Sequence, residues 1–183
     1  MGVLHFETVI FEGAKNPKVL FKKTVGKQRV TVWCGMTADR LISPFLLNET
    51  MNADRYLTML SDDVWPLVHN EPGLRFMQDG APPHWAKRVR QWLDVHFQNR
   101  WIGRGGPIAW PARSPDLTPC DFFLWGWVKN KVYKTMPANI DELRDSIRVV
   151  MANVPQTFLA NAVAAVPRRL QKLVNNAGGY VEF

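Results

Sequence analysis

The apolar residues of this chain change their spacing after Asn48, and that change limits the folds open to it. Before it, Leu4 to Phe11, Lys18 to Phe21, Arg29 to Met36 and Leu41 to Leu47 carry β-branched and aromatic residues between Gly, Asn and Lys turns, which predicts strands. After it, Tyr56, Met59, Leu60, Val64 and Leu67 recur at helical spacing, with Asn52 placed to cap the start. Gly73 ends that helix, and the short apolar run Leu74 to Met77 predicts a strand that delivers Asp79 at its carboxyl end. From Trp85 to Phe97 one helical face carries Trp85, Val89, Trp92, Leu93, His96 and Phe97, and the other Lys87, Arg88, Arg90 and Gln91. Residues Arg100 to Arg113 read as loop with a brief strand at Pro107 to Trp110. Asp121 opens a helix to about Lys134 that is apolar nearly all round, and helices at Ile140 to Val154 and Phe158 to Val174 follow, interrupted by Pro155 and Pro167.

Strands first, then strand and helix in alternation, then helices predict an α/β layered domain, a mixed sheet covered by helices. Ligand sites in such sheets favour the carboxyl ends of strands, where Asp79 falls. With 183 residues the chain supports one buried core. Its net charge of +7 and pI near 9.7, spread over several segments, point to a polyanionic partner, nucleic acid, against the plainer reading of charge kept for solubility. Cys34 and Cys120 have no zinc-ligand spacing and read as free thiols in a reducing compartment. There is no apolar run of bilayer-spanning length, and Met1 to His5 lacks the basic start of a secretory signal, so no membrane partner is expected. The expected location is the nucleus, or the cytoplasm otherwise, since Pro167-Arg168-Arg169 is too short for an import signal.

Asp79 and Asp121 are the candidate metal-binding and catalytic residues. Two carboxylates about 4 Å apart repel by roughly 4 kcal/mol at an effective dielectric near 20, so bringing them together requires a cation. Oxygen-only ligands suit Mg²⁺ or Mn²⁺, which take one or two protein carboxylates and leave positions for phosphate oxygens. A pair of such ions activates an attacking hydroxyl and stabilises the leaving oxygen of a phosphodiester. Spacing alone does not carry this: Asp79 before Gly80 also fits a turn, and Asp121 after Pro119 also fits a helix cap.

Longer strings carry more. Met77-Gln78-Asp79-Gly80-Ala81-Pro82-Pro83-His84 and Trp110-Pro111-Ala112-Arg113-Ser114-Pro115-Asp116-Leu117-Thr118-Pro119-Cys120-Asp121-Phe122-Phe123-Leu124-Trp125, with Val30-Thr31-Val32-Trp33-Cys34-Gly35 upstream, resemble the catalytic domain of mariner-like transposases of the DDE superfamily. The resemblance runs from about Phe6 to the last helices and is densest between Val30 and Lys134. It implies a ribonuclease-H-like fold, with the completeness of the first strand left open, metal-dependent DNA strand cleavage and joining with Mg²⁺ or Mn²⁺, DNA as partner, and a homodimer as in the resembled family. Asp79 would be the second acid and Asp121 the third, because the family's acid directly precedes the aromatic pair; Asp116, after Ser-Pro, reads as a turn former.

The chain departs from the family pattern at its first acid, normally Asp-Glu in the first strand, where Phe6-Glu7 stands here. Glu7 substitutes only through a slipped register or a bulge, because neighbouring strand residues point to opposite faces. Impaired catalysis is therefore expected, with a non-catalytic nucleic-acid-binding remnant as the alternative. Residues 1–183 read as a single DDE-type domain, 135–183 as its carboxyl-terminal helices, with the family's amino-terminal helix-turn-helix region absent. His84, Lys87, Arg88 and Arg90 are candidate DNA contacts, set against a structural histidine and a solvated helix face. Arg104-Gly105-Gly106 reads as a link between strands, and Trp85, Trp92, Trp125 and Trp127 as packing residues.

Overall fold

A computed structural model describes residues 3–12, 29–47, 49–110 and 114–176, with 3–12 and Ser43 described as backbone. The predicted strand Lys18 to Phe21 lies outside the described residues.

Six strands form one mixed sheet in the order β3-β2-β1-β4-β5-β6: β1 (Val3–Glu12), β2 (Arg29–Met36), β3 (Leu41–Leu47), β4 (Arg75–Gln78), β5 (Trp101–Gly103) and β6 (Ile108–Ala109). The first three pair antiparallel, and β1, β4, β5 and β6 pair parallel. Parallel neighbours need crossovers long enough to hold helices, and the segments between β3 and β4 and between β4 and β5 supply them. Pro44 has no N–H to donate, and it sits in the edge strand β3 opposite an irregular register in β2, where none is needed.

Alternation along β2 divides the core in two. Trp33 faces a cluster with Ile42, Tyr56, Leu60, Phe76, Leu93 and Phe97, built by β4 and the helices α1 (Ala53–Thr58), α2 (Trp65–Val68) and α4 (Lys87–His96). Val30, Val32, Cys34 and Met36 face the other way, onto α5 (Trp125–Lys134), α6 (Ile140–Ala152) and α7 (Gln156–Asn175). The result is a sheet between two helical layers. Each fully buried Val, Leu, Ile, Phe or Met side chain stabilises it by about 1.5–3 kcal/mol.

Asn52 caps α1 by accepting from the Arg55 amide at 2.9 Å, as its position predicts. Asn139 caps α6 through the amides of Asp141 and Glu142, while the Glu142 carboxylate reaches back to the Ala138 amide at 2.8 Å.

Three helices differ from expectation. The stretch from Trp85 to Phe97 is not one helix: a short α3 (Pro82–Trp85) stops at Ala86, whose extended ψ of 137° redirects the chain before α4 begins. The helix expected to open at Asp121 begins one residue earlier, as a π-helical stretch Cys120–Leu124 running into α5, preceded by a 3₁₀ turn Pro115–Leu117. And α7 continues through Pro167 instead of breaking there. Leu159 and Ala162 bury its first half, and Arg169, over the Phe122 ring at 3.8 Å and bonded to the Asp116 carbonyl at 2.8 Å, ties down its second. Contacts on both sides offset the roughly 3 kcal/mol that an internal proline costs a helix.

Among the described residues no single helix is long and apolar enough to cross a membrane; α6 and α7 meet both conditions only together, as a pair bent by 76°.

Candidate active site at the end of strand β4

The chain leaves β1 toward β2 on one side of the sheet, whereas β4 and β5 lie on the other, so the gap between β1 and β4 is where the strand order reverses. Crevices at such reversals, outside the carboxyl ends of parallel strands, are the usual binding places of α/β sheets. Asp79 directly follows β4 at that point.

A buried polar chain holds it. Gln78, the last residue of β4, is 2 % exposed; its Oε1 accepts from the Tyr56 hydroxyl at 3.0 Å and its Nε2 donates to the His84 carbonyl at 3.0 Å. His84, also 2 % exposed, packs its ring on Tyr56 with centroids 4.2 Å apart and turns Nδ1 to Asp79 Oδ1. The same oxygen accepts from the Ala81 amide at 3.0 Å, closing a turn that Pro82 and Pro83 stiffen. Among the described residues only Oδ1 is engaged in this way, which leaves Oδ2 available to a ligand.

Burial pushes the Asp79 carboxyl up, but the hydrogen bond from His84, the attraction of that imidazole and the Ala81 amide outweigh it, and the group is held below the usual carboxylate range. It is therefore ionised at neutral pH. Burial, then the nearby Asp79 charge, push the Tyr56 phenol well above its ordinary value, so it remains a donor to Gln78.

Asp121 lies on the π-helical stretch Cys120–Leu124, half-buried, its amide bonded to the Thr118 carbonyl at 2.9 Å. That stretch packs against β1, the strand next to β4. Single π-turns inside helices are frequent at functional sites, where they re-aim a side chain. Asp116 is 5 % exposed within the 3₁₀ turn, in agreement with a turn-forming role. In β1 the register sets Phe6 opposite Gln78, one residue before Asp79, and Glu7 opposite Cys34 of β2. Among the described residues no three His, Cys, Asp or Glu groups gather as a metal-binding set.

The candidate DNA contacts divide. Lys87 and Arg88 are exposed on α4, Arg88 paired with Asp54 at 2.6 Å. Arg90 is half-buried: its Nε donates to the Trp85 carbonyl, freed by the end of α3, at 3.1 Å, and its guanidinium lies over the Trp85 ring at 4.1 Å. Arg104, in the turn that links β5 to β6 as expected, lies over the same ring at 4.4 Å. Trp85 is thus not a core residue, although its spacing predicts one; the break at Ala86 takes it off the buried face of α4. Trp125 is buried, and Trp92 and Trp127 pack on the two cores. Spacing also gave no sign of Tyr56 and Arg104 as neighbours of Asp79, or of the two side-chain bonds of Gln78. Only Gln78 left a trace, as a polar residue within an apolar strand.

No family model matches the chain. It is 26 % identical over 174 residues to the Tc3 transposase of Caenorhabditis elegans, covering 92 % of this chain and 50 % of that protein. To the Tc1 transposase of the same organism it is 26 % identical over 157 residues, 85 % of this chain and 54 % of the relative. To the Mos1 mariner transposase of Drosophila mauritiana it is 24 % identical over 174 residues, 91 % and 47 %. The crystal structure of the Mos1 catalytic domain superposes with a TM-score of 0.77 at 21 % identity, covering 98 % of this chain and 84 % of that one. The chain's homologues are the Tc1/mariner transposases. Its fold is the ribonuclease-H-like fold of the mariner catalytic domain. The chain spans about half the length of the transposases it matches. Mos1 has been solved as a catalytic domain with Mn and with Mg, and as a paired-end complex with the left transposon end.

Proposed function

We infer that this mariner-like domain acts on DNA by metal-dependent strand cleavage and transfer, with Asp79 and Asp121 as its acids. The carrying observation is a carboxylate, anchored by one oxygen, at the strand-order reversal of a fold whose Mos1 counterpart is solved with Mn and Mg. A hard, all-oxygen pair fits Mg²⁺ or Mn²⁺. Bound there, the ion would polarise the scissile phosphate and the attacking hydroxyl. His84 and the Ala81 amide fix Oδ1 so that Oδ2 is presented in one orientation, and Gln78 and Tyr56 brace His84. Packing of the Cys120–Leu124 stretch against β1 supports bringing Asp121 toward the same crevice. The reading includes work in the nucleus, where a DNA substrate would be met, and a homodimer.

Phe6 at the register position beside Gln78 favours impaired catalysis, and in the limit a remnant that binds DNA without cutting it. Nicking of supercoiled plasmid in Mg²⁺ or Mn²⁺ separates the two. Weak nicking that disappears in Asp79→Asn and Asp121→Asn and rises in Phe6→Asp is the expected result. Nicking indifferent to Asp79→Asn contradicts the assignment, and salt-sensitive binding with no nicking even in Phe6→Asp establishes the remnant.

A further inference from the structure

Trp85, Arg90 and Arg104 form a cationic cluster beside Asp79 that the reading above does not use. Arg90 comes from α4 and Arg104 from the β5–β6 turn, yet both guanidinium groups lie over the one indole, at 4.1 and 4.4 Å from its ring. Among the described residues neither has a carboxylate partner, unlike Arg88, Arg40 and Arg55, each of which does. Like charges held within the span of one ring repel, and the arrangement is best relieved by an anion placed between or across them.

The cluster is built into the backbone. Gly105 adopts a φ of +72°, and the space a Cβ would need there is filled by the Trp85 ring, so the turn is moulded onto the indole. Gly80, the residue after Asp79, has the Arg104 side chain within 3.9 Å of where its Cβ would stand. The Arg104 side chain thus lies against the residue that follows the candidate acid, and Arg90 joins it through the shared indole. Stacking on tryptophan orders a guanidinium in advance; Arg90 spends its Nε on the Trp85 carbonyl and keeps its two terminal Nη groups for a phosphate, which takes such a pair in two parallel hydrogen bonds.

We propose that Arg90 and Arg104, ordered on Trp85, clamp the phosphodiester backbone of duplex DNA on the β5 side of Asp79. The clamp rests on the DNA-processing reading and gives it a direction: the strand enters past β5 and reaches the crevice with its phosphates already fixed. It acts by positioning, without touching the reacting atoms.

The test is fluorescence anisotropy of a fluorescein-labelled duplex across a salt series, with the whole chain, comparing Arg104→Gln, the double variant Arg90→Gln/Arg104→Gln, and Arg55→Gln/Arg148→Gln. The last removes equal charge at the β3 side of the sheet, where Arg55 and Arg148 line a surface groove. Loss of about tenfold in affinity per clamp arginine is expected, with the slope of log affinity on log salt shallower by about 2 in the clamp double variant. The Arg55/Arg148 pair should change neither by as much. Equal losses in both double variants, or none in Arg104→Gln, overturn the clamp; Arg104→Gln leaves the Arg90–Trp85 bond in place, so misfolding does not excuse that result. If plasmid nicking depends on Asp79 while binding ignores the clamp arginines, the clamp alone fails. If binding depends on them and no variant nicks, the clamp stands and the cleavage reading falls.

Discussion

Gln78 is the residue on which the neighbourhood of Asp79 turns. Buried amides are stable only when both ends are paired, and here Tyr56 and the His84 carbonyl take one end each. Tyr56→Phe keeps the ring against His84 and removes the hydroxyl, leaving the Gln78 Oε1 without that donor. Loss of about 1–3 kcal/mol is expected, which for a chain of this size lowers the melting temperature by about 2–10 °C in calorimetry; an unchanged melting temperature means the network contributes nothing. At this scale the sequence was partly legible. Asp79 and Asp121 stand out through their flanking strings, and Asp116 reads as the turn residue it is. Tyr56 occupies an ordinary core position of a helix, and no periodicity says that its hydroxyl meets a strand 22 residues on. His84 is legible as a residue near Asp79 but not as a buried one, because its burial depends on Tyr56 arriving from α1.

Two glycines separate what an element needs from what it tolerates. Gly105 has a left-handed φ of +72° and a Trp85 ring where its Cβ would go, whereas Gly126 lies exposed in α5 with nothing within 4 Å. Gly105→Ala is expected to destabilise by about 1–3 kcal/mol, and Gly126→Ala to stabilise by up to about 1 kcal/mol, both read from urea denaturation midpoints. The same sign for both would refute the reading of the turn. Strands β2 and β3 match their sequence patterns because their residues alternate against two cores at once. The break at Ala86 and the continuity of α7 through Pro167 were not legible for opposite reasons. Ala86 is a good helix former that the chain nevertheless holds extended between two short helices, while Pro167 is a breaker overruled by the packing of Leu159 before it and Arg169 after it.

The whole molecule is a mixed sheet between two helical layers, and the α/β class follows from the order of periods along the chain. Its strand order does not, since local patterns carry no information on which strand lies beside β1. That neighbour decides everything functional: with β4 parallel to β1, Asp79 falls at the reversal, Phe6 beside Gln78, and the stretch bearing Asp121 against the same strand. The Mos1 superposition over 98 % of the chain places this arrangement within one fold. What the account requires beyond the fold is that Asp79 and Asp121 share an ion. Mn²⁺ binding, followed by electron paramagnetic resonance of the free ion in titrations of the unmodified chain, Asp79→Asn and Asp121→Asn, tests this most directly. The account predicts that each single substitution weakens Mn²⁺ by at least about tenfold; uptake by either variant equal to that of the unmodified chain would contradict it.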